Sequence, residues 1–156
     1  MIEDIRNAAI VVTLKVFETM FFIPLEPQDR NQEEGHPPLE SPPSYLRGEI
    51  TFQGKWSGKI GLCLPAELAK TMAASFMGLE EDDVSESKAT DMVSELCNVL
   101  CGNLLSQMDK KAVHTLMIPQ TQPISLEEMK EDIPHGGIVM DFDAEGHWVK
   151  LVIQLE

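Results

Sequence analysis

The chain has 156 residues, with 12 Lys and Arg against 26 Asp and Glu, for a formal net charge of −14. That length suits one domain over 1–156, and 43% hydrophobic with 24% charged residues describes a folded chain, not a disordered one. The negative field disfavours nucleic acid and anionic membranes as partners. Cys63, Cys97 and Cys101 are too few, and odd in number, for a disulfide framework. The stretch Met1 to Arg6 lacks the basic and apolar regions of a secretion signal, and no apolar run reaches membrane-spanning length. The expected location is cytoplasmic.

In chain order, Ile5, Ala8, Ala9, Val12, Val16, Phe17 and Met20 recur at helical spacing and predict an amphipathic helix over 3–20, stopped by Pro24 and Pro27. Residues 24–44 carry six of the ten prolines together with Glu26, Asp29, Glu33, Glu34 and Glu40, and read as an extended, solvated acidic loop. Leu46, Gly48, Ile50 and Phe52 then alternate with Arg47, Glu49, Thr51 and Gln53. After a turn at Gly54, Trp56, Gly58, Ile60, Leu62 and Leu64 alternate again, so the two runs predict a β-hairpin with one buried face. Gly48, Gly58 and Gly61 inside these strands point to twist, a bulge or close backbone approach.

Pro65 is expected at the first position of a second helix, with Ala66, Ala69, Met72, Ala73, Phe76 and Met77 on its apolar face and Gly78 as its stop. Residues 80–87 are acidic and Ser-containing, suited to a loop and a helix N-cap. The longest helical pattern covers 87–108. Ala112 to Ile118 predict a strand ended by Pro119, and 119–135 a loop with a capping box at Ser125-Leu126-Glu127-Glu128 for one or two turns. Ile138, Met140 and Phe142, then Val149, Leu151, Ile153 and Leu155, predict a second hairpin turning around Ala144-Glu145-Gly146. The order of elements fits an α+β fold, with helices packed on a largely antiparallel sheet.

The helix over 87–108 holds the chemistry. At about 100° per residue, Asp91, Glu95, Asn98 and Gly102 fall within a strip of roughly 60°. Val93, Leu96, Cys97, Leu100 and Leu104 take the other side. Glu95 and Asn98 stand one turn apart, about 4.5 Å along the axis, so their heads can converge on one target. Glycine inside a helix costs roughly 1 kcal/mol against alanine, which calls for a reason at Gly102. Spacing alone leaves two readings open. The pair serves solubility and Gly102 lets another helix pack, or the strip meets a partner whose backbone comes close.

The run Asp91-Met92-Val93-Ser94-Glu95-Leu96-Cys97-Asn98-Val99-Leu100-Cys101-Gly102-Asn103 resembles the signature helix of the CheC/CheX family of chemotaxis phosphatases, with its E-x-x-N followed by Gly-Asn. Val16 to Met20, Phe52-x-Gly54 with Gly58-x-Ile60-x-Leu62, Met77-Gly78 and Leu116-x-Ile118-Pro119 resemble further parts of the family in the same order. There is one E-x-x-N here, as in CheX, where CheC-type members generally carry two. The acidic loop departs from the compact connector expected of the family.

The resemblance implies a CheC-like fold and hydrolysis of the aspartyl phosphate on a phosphorylated CheY-type receiver domain. It implies Glu95 and Asn98 as the catalytic pair, with Asp91 and Gly102 meeting the partner. An acyl phosphate needs an in-line water and charge neutralisation. Asn98 can hold that water, donating and accepting at once. Glu95, an anion, is better suited to a receiver lysine than to phosphate. The chain has no cofactor of its own in this reading, and Mg2+ belongs to the receiver. A homodimer is expected from the resemblance, through sheet edges or the terminal hairpin. The alternatives are a non-catalytic adaptor for a receiver or flagellar switch component, and a dimerisation module.

Other constellations carry less. Asp141-x-Asp143-x-Glu145-Gly146 starts like a calcium loop, but Val152 stands where the bidentate acid is needed. His36, His114, His135 and His147 lack metal-ligand spacing, and His114 reads as a surface or packed residue. No local motif supports Ser/His/Asp catalysis. Asn103 and Gln107 fall nearer the buried side of their helix and read as structural hydrogen-bonders. Met20, Met72, Met77, Met92 and Met108 read as core filling. Trp56 and Trp148 are placed on strands, where one of them can serve a dimer contact.

Overall fold

Both predicted hairpins form, and they meet in one sheet. The computed structural model describes residues 2–28, 44–131 and 136–156. The chain runs α1 (Ile2–Phe21), β1 (Leu25–Gln28), β2 (Ser44–Gly54), β3 (Gly58–Pro65), α2 (Ala66–Met77), α3 (Glu86–Met108), β4 (His114–Leu116), β5 (Gln120–Ser125), α4 (Leu126–Glu131), β6 (Ile138–Ala144) and β7 (His147–Leu155). The strand order is β1-β6-β7-β3-β2, with β4 and β5 both on the outer side of β2. Every pairing is antiparallel, so the fold is α+β as predicted.

The alternation sets the core. Leu46, Ile50 and Phe52 of β2, Ile60, Leu62 and Leu64 of β3, and Leu151 and Ile153 of β7 are buried in one cluster with the apolar faces of α1, α2 and α3. The β6–β7 turn has φ of 51° at Glu145 and 93° at Gly146, the two left-handed positions of a type I′ hairpin. The acids expected to mark that turn do structural work. Trp148 Nε1 donates to Asp141 Oδ1 at 2.7 Å, and Gly146 N donates to Asp143 Oδ2 at 3.4 Å. A smaller cluster of Tyr45, Cys63, Ile124 and Met129 is lined by Leu126 and Trp148. Lys150, almost fully buried, donates from Nζ to the Met129 carbonyl at 2.5 Å and so caps the end of α4.

Several expectations need correction. Helix α1 ends before the prolines, at Phe22, whose φ is 57°; Phe22 N and Ile23 N donate back to Glu18 O and Phe17 O. This closes the helix in the manner usually given to glycine. Of the loop expected over 24–44, Leu25–Gln28 form β1 against β6 and Ser44 opens β2, while 29–43 lie outside the described residues, as does His36. Pro65 ends β3 and stands just before the first residue of α2. Phe76 and Met77 are exposed in the last turn of α2, where the Phe76 ring lies 6.0 Å from that of Phe21. Trp56 lies in the β2–β3 turn, not on a strand.

The expected strand over 112–118 shrinks to His114–Leu116, and part of the expected loop becomes β5. The two are one edge with a bulge. Leu116 pairs with Phe52 and Gln120 with Glu49, so Met117, Ile118 and Pro119 stand opposite only Thr51 and Ile50. One extra residue bends the edge outward. Pro123 pairs with Leu46 at this edge, where a missing N–H does no harm. The capping box forms as expected: Glu128 N donates to Ser125 Oγ at 3.1 Å, and Ser125 N to Glu128 Oε1 at 3.4 Å.

Candidate functional site

Helix α3 begins at a proper cap, with Ser85 Oγ accepting from Lys88 N at 3.1 Å after a short 3-10 turn at Glu81–Asp83. Met92, Val93, Leu96, Cys97, Leu100, Cys101, Leu104 and Leu105 are buried. The helix seats unusually close to β2 because of Gly48. A Cβ there would stand 2.6 Å from Cys97 Sγ and 2.9 Å from Val93 Cγ1. Burial pushes the Cys97 and Cys101 thiols up to about 12, so both are neutral packing groups at ordinary pH. Along one flank, the Ser94 and Thr121 hydroxyls share a 2.6 Å hydrogen bond that ties α3 to β5.

The outward strip is left to solvent. Asp91 and Glu95 are exposed, and Asn98 and Gly102 are half-buried. Neither Glu95 nor Asn98 makes a side-chain hydrogen bond or ion pair with another described residue. A Cβ built on Gly102 meets nothing within 4 Å. Of the two readings of that glycine, close packing against another described helix is therefore excluded. Asn103 and Gln107 are corrected to exposed positions. Asn103 Nδ2 donates along its own helix to Val99 O at 2.8 Å, on the rim of the arc that buries Leu100, Leu104 and Leu105.

Beyond Gly102 lies a recess that sequence reasoning missed, of about 220 Å³, reaching from α3 to β4 at Leu116 and bordered by Ser106, Asp109 and His114. Its border is ordered by side chains far apart in sequence. Lys55 Nζ donates to Asp109 at 2.7 Å, and that hydrogen bond holds the Asp109 carboxyl below its ordinary range. Trp56 N donates to His114 Nε2 at 3.2 Å, and the two rings stack with centroids 5.5 Å apart. His114 is thus the packed histidine expected. Among the described residues, no three His, Cys, Asp or Glu side chains gather to hold a metal ion, and His135 lies outside them. No helix among the described residues is long and apolar enough to cross a membrane.

The family model described as chemotaxis phosphatase CheX matches residues 46–143. No curated protein matches the chain. Among solved structures, the chain is similar to chemotaxis protein CheX from Vibrio vulnificus, at 18% identity over 100% of this chain and 99% of that one, with a TM-score of 0.75. A CheC-like superfamily protein from Shewanella sp. PV-4 gives 21% identity, 98% and 97% coverage and a TM-score of 0.71. A CheX–CheY–BeF3–Mg2+ complex from Borrelia burgdorferi gives 22%, 99% and 97%, and 0.62. At these identities the likenesses establish the CheC-like fold.

Proposed function

The chain belongs to the CheX family of chemotaxis phosphatases, and we propose that it accelerates hydrolysis of the aspartyl phosphate on a CheY-type receiver domain. The observation that carries this reading is the free pair on α3. A carboxylate and a carboxamide one turn apart face outward with no partner among the described residues, beside a glycine at which an added Cβ would meet nothing among them.

In this reading the receiver docks over the Asp91–Glu95–Asn98–Gly102 strip. Glu95 takes a lysine of the receiver and fixes the orientation of the pair. Asn98 holds a water in line with the acyl phosphate, its C=O accepting from the water and its N–H2 aimed at the phosphoryl oxygens. The water oxygen bonds to phosphorus as the bond to the aspartyl oxygen breaks. The products are the receiver's free carboxylate and inorganic phosphate, and the water's proton leaves to solvent or phosphate. Nothing in the step requires a base on this chain, since positioning and charge neutralisation carry an acyl phosphate. A magnesium ion neutralises phosphoryl charge and would be held by the receiver's carboxylates. Support comes from the Borrelia relative, solved as a complex with CheY, BeF3 and Mg2+. A homodimer fits this reading through the β1 edge, across the sheet from α3's outer flank.

The test is phospho-receiver decay with and without the protein. Wild type should speed decay, Asn98→Ala should remove about 10²-fold or more of that acceleration with the fold intact, and Glu95→Lys should also weaken binding of a BeF3-loaded receiver. Binding without any acceleration would replace the phosphatase with an adaptor.

A further inference from the structure

Ser94 departs from the habit of the helical threonines. Thr13, Thr19, Thr71 and Thr90 each donate to the carbonyl four residues back along their own helix, a common arrangement for a hydroxyl inside a helix. Ser94 instead turns across to β5 and shares its 2.6 Å hydrogen bond with Thr121. Gly48 of β2 leaves the space for this. It pairs with Thr121, and a Cβ there would stand 3.2 Å from Thr121 Oγ1 as well as 2.6 Å from Cys97 Sγ.

Ser94 stands one turn below Asn98. Four residues at about 100° each bring Asn98 round by about 40° and about 6 Å along the axis, so the two share the flank of α3 that faces β5. Glu95 is about 100° from Ser94, on the outward side. Burial agrees: Ser94 and Asn98 are half-buried, and Glu95 is exposed. Elsewhere α3 is seated on β2 by Val93 and Cys97 over Gly48, and apolar contact is non-directional, so it fixes the roll of a helix poorly. A roll of about 10° carries a group about 5–6 Å from the axis through about 1 Å.

We infer that Thr121 is a positioning residue: its bond to Ser94 sets the roll of α3 and, through it, the place of the Asn98 carboxamide; the inference rests on the function proposed above. The two members of the Glu95–Asn98 pair differ in what they demand. A water held in line with phosphorus needs placement within about 0.5 Å, and an error of about 1 Å at a reacting centre costs up to about 10²-fold in rate. The Glu95 carboxylate would meet a lysine through Coulomb attraction, which falls only as 1/r. Two long side chains can follow a small shift of the helix. Loss of the tie therefore lowers turnover and spares docking.

The experiment measures decay of a phosphorylated CheY-type receiver across receiver concentrations, alongside calorimetric binding of that receiver loaded with BeF3 and Mg2+. Thr121→Val keeps the shape of the side chain and removes the hydroxyl. Ser94→Ala removes the other partner and favours the helix. Each should lower kcat about tenfold, with KM and Kd within about twofold of wild type. Thr121→Ser, which keeps the hydroxyl, should stay within about twofold of wild type in all three. Thr71→Val, which removes the hydroxyl that bonds Glu67 O on α2, should leave kcat unaltered. Unaltered kcat in either Thr121→Val or Ser94→Ala, with wild type active, would overturn the positioning role and leave the phosphatase standing. A low kcat in Thr121→Ser would assign the effect to packing and overturn it too, as would an equal loss in Thr71→Val. A rise in KM and Kd in place of the fall in kcat would assign the tie to docking and overturn the inference. A wild type that does not speed decay would overturn both readings together.

Discussion

Gly102→Ala separates what the fold needs from what the site needs. The residue lies inside the 23-residue helix α3, and a Cβ there would meet nothing within 4 Å. Replacing an interior helical glycine with alanine gains about 1 kcal/mol when nothing clashes. For a chain of this length the gain raises Tm by about 2–4 °C. Activity should move the other way. In the proposed complex the methyl group would stand where the receiver's backbone comes close, so KM should rise several-fold, and Gly102→Leu, which keeps most of the helix gain, should raise it further. Thermal unfolding followed by circular dichroism and the phospho-receiver decay assay read the two effects on the same samples. A lower Tm would mean that the outer face of α3 is packed. A stabilised Gly102→Leu variant with unaltered KM would remove Gly102 from the contact. Stability given up at a helical position that the packing leaves free fits a functional site.

Gly48→Ala should show the opposite sign. The new Cβ would press on Cys97 Sγ and Val93 Cγ1. An overpacking loss of about 1–3 kcal/mol outweighs the roughly 0.5–1 kcal/mol gained by replacing a strand glycine. Urea unfolding should show a lower midpoint, and adding Cys97→Ala should recover part of it; an unaltered midpoint would mean that α3 is not seated on β2. The buried thiols give a pH signature. Their pKa is raised from 9.0 to about 12 in the fold. Stability from them is full below pH 9 and is lost as pH rises toward 12. Iodoacetamide at pH 8 should therefore label Cys97 and Cys101 only after unfolding, as read by mass spectrometry; labelling of the native protein would contradict their burial.

Legibility from sequence follows physical scale. Helix α3 is long, with one buried face, so its 3.6-residue period marked Val93, Leu96, Cys97 and Leu100 as core and left Glu95 and Asn98 outside. The β6–β7 hairpin and the Ser125 capping box were legible because a turn or a cap is local chemistry. Helix ends were less so: Asn103 and Gln107 lie toward the buried arc, yet both are exposed while Leu104 and Leu105 between them are buried. The angle on a helix says which way a side chain points, and only the neighbouring element decides whether anything is there.

The edge strands failed for a related reason. Pro27, Pro119 and Pro123 read as breakers, and in a central strand they would be. At a sheet edge a proline loses a hydrogen bond that would have gone to water. Position in the sheet is a long-range property that no window of residues contains. The same ignorance hid the recess at Gly102, which exists only because residues 102–109 and 112–116 are brought together around it. A motif such as E-x-x-N is short enough to read along the chain. The surface around that motif is assembled from elements far apart in the chain, so two chains with the same motif can differ in what surrounds it.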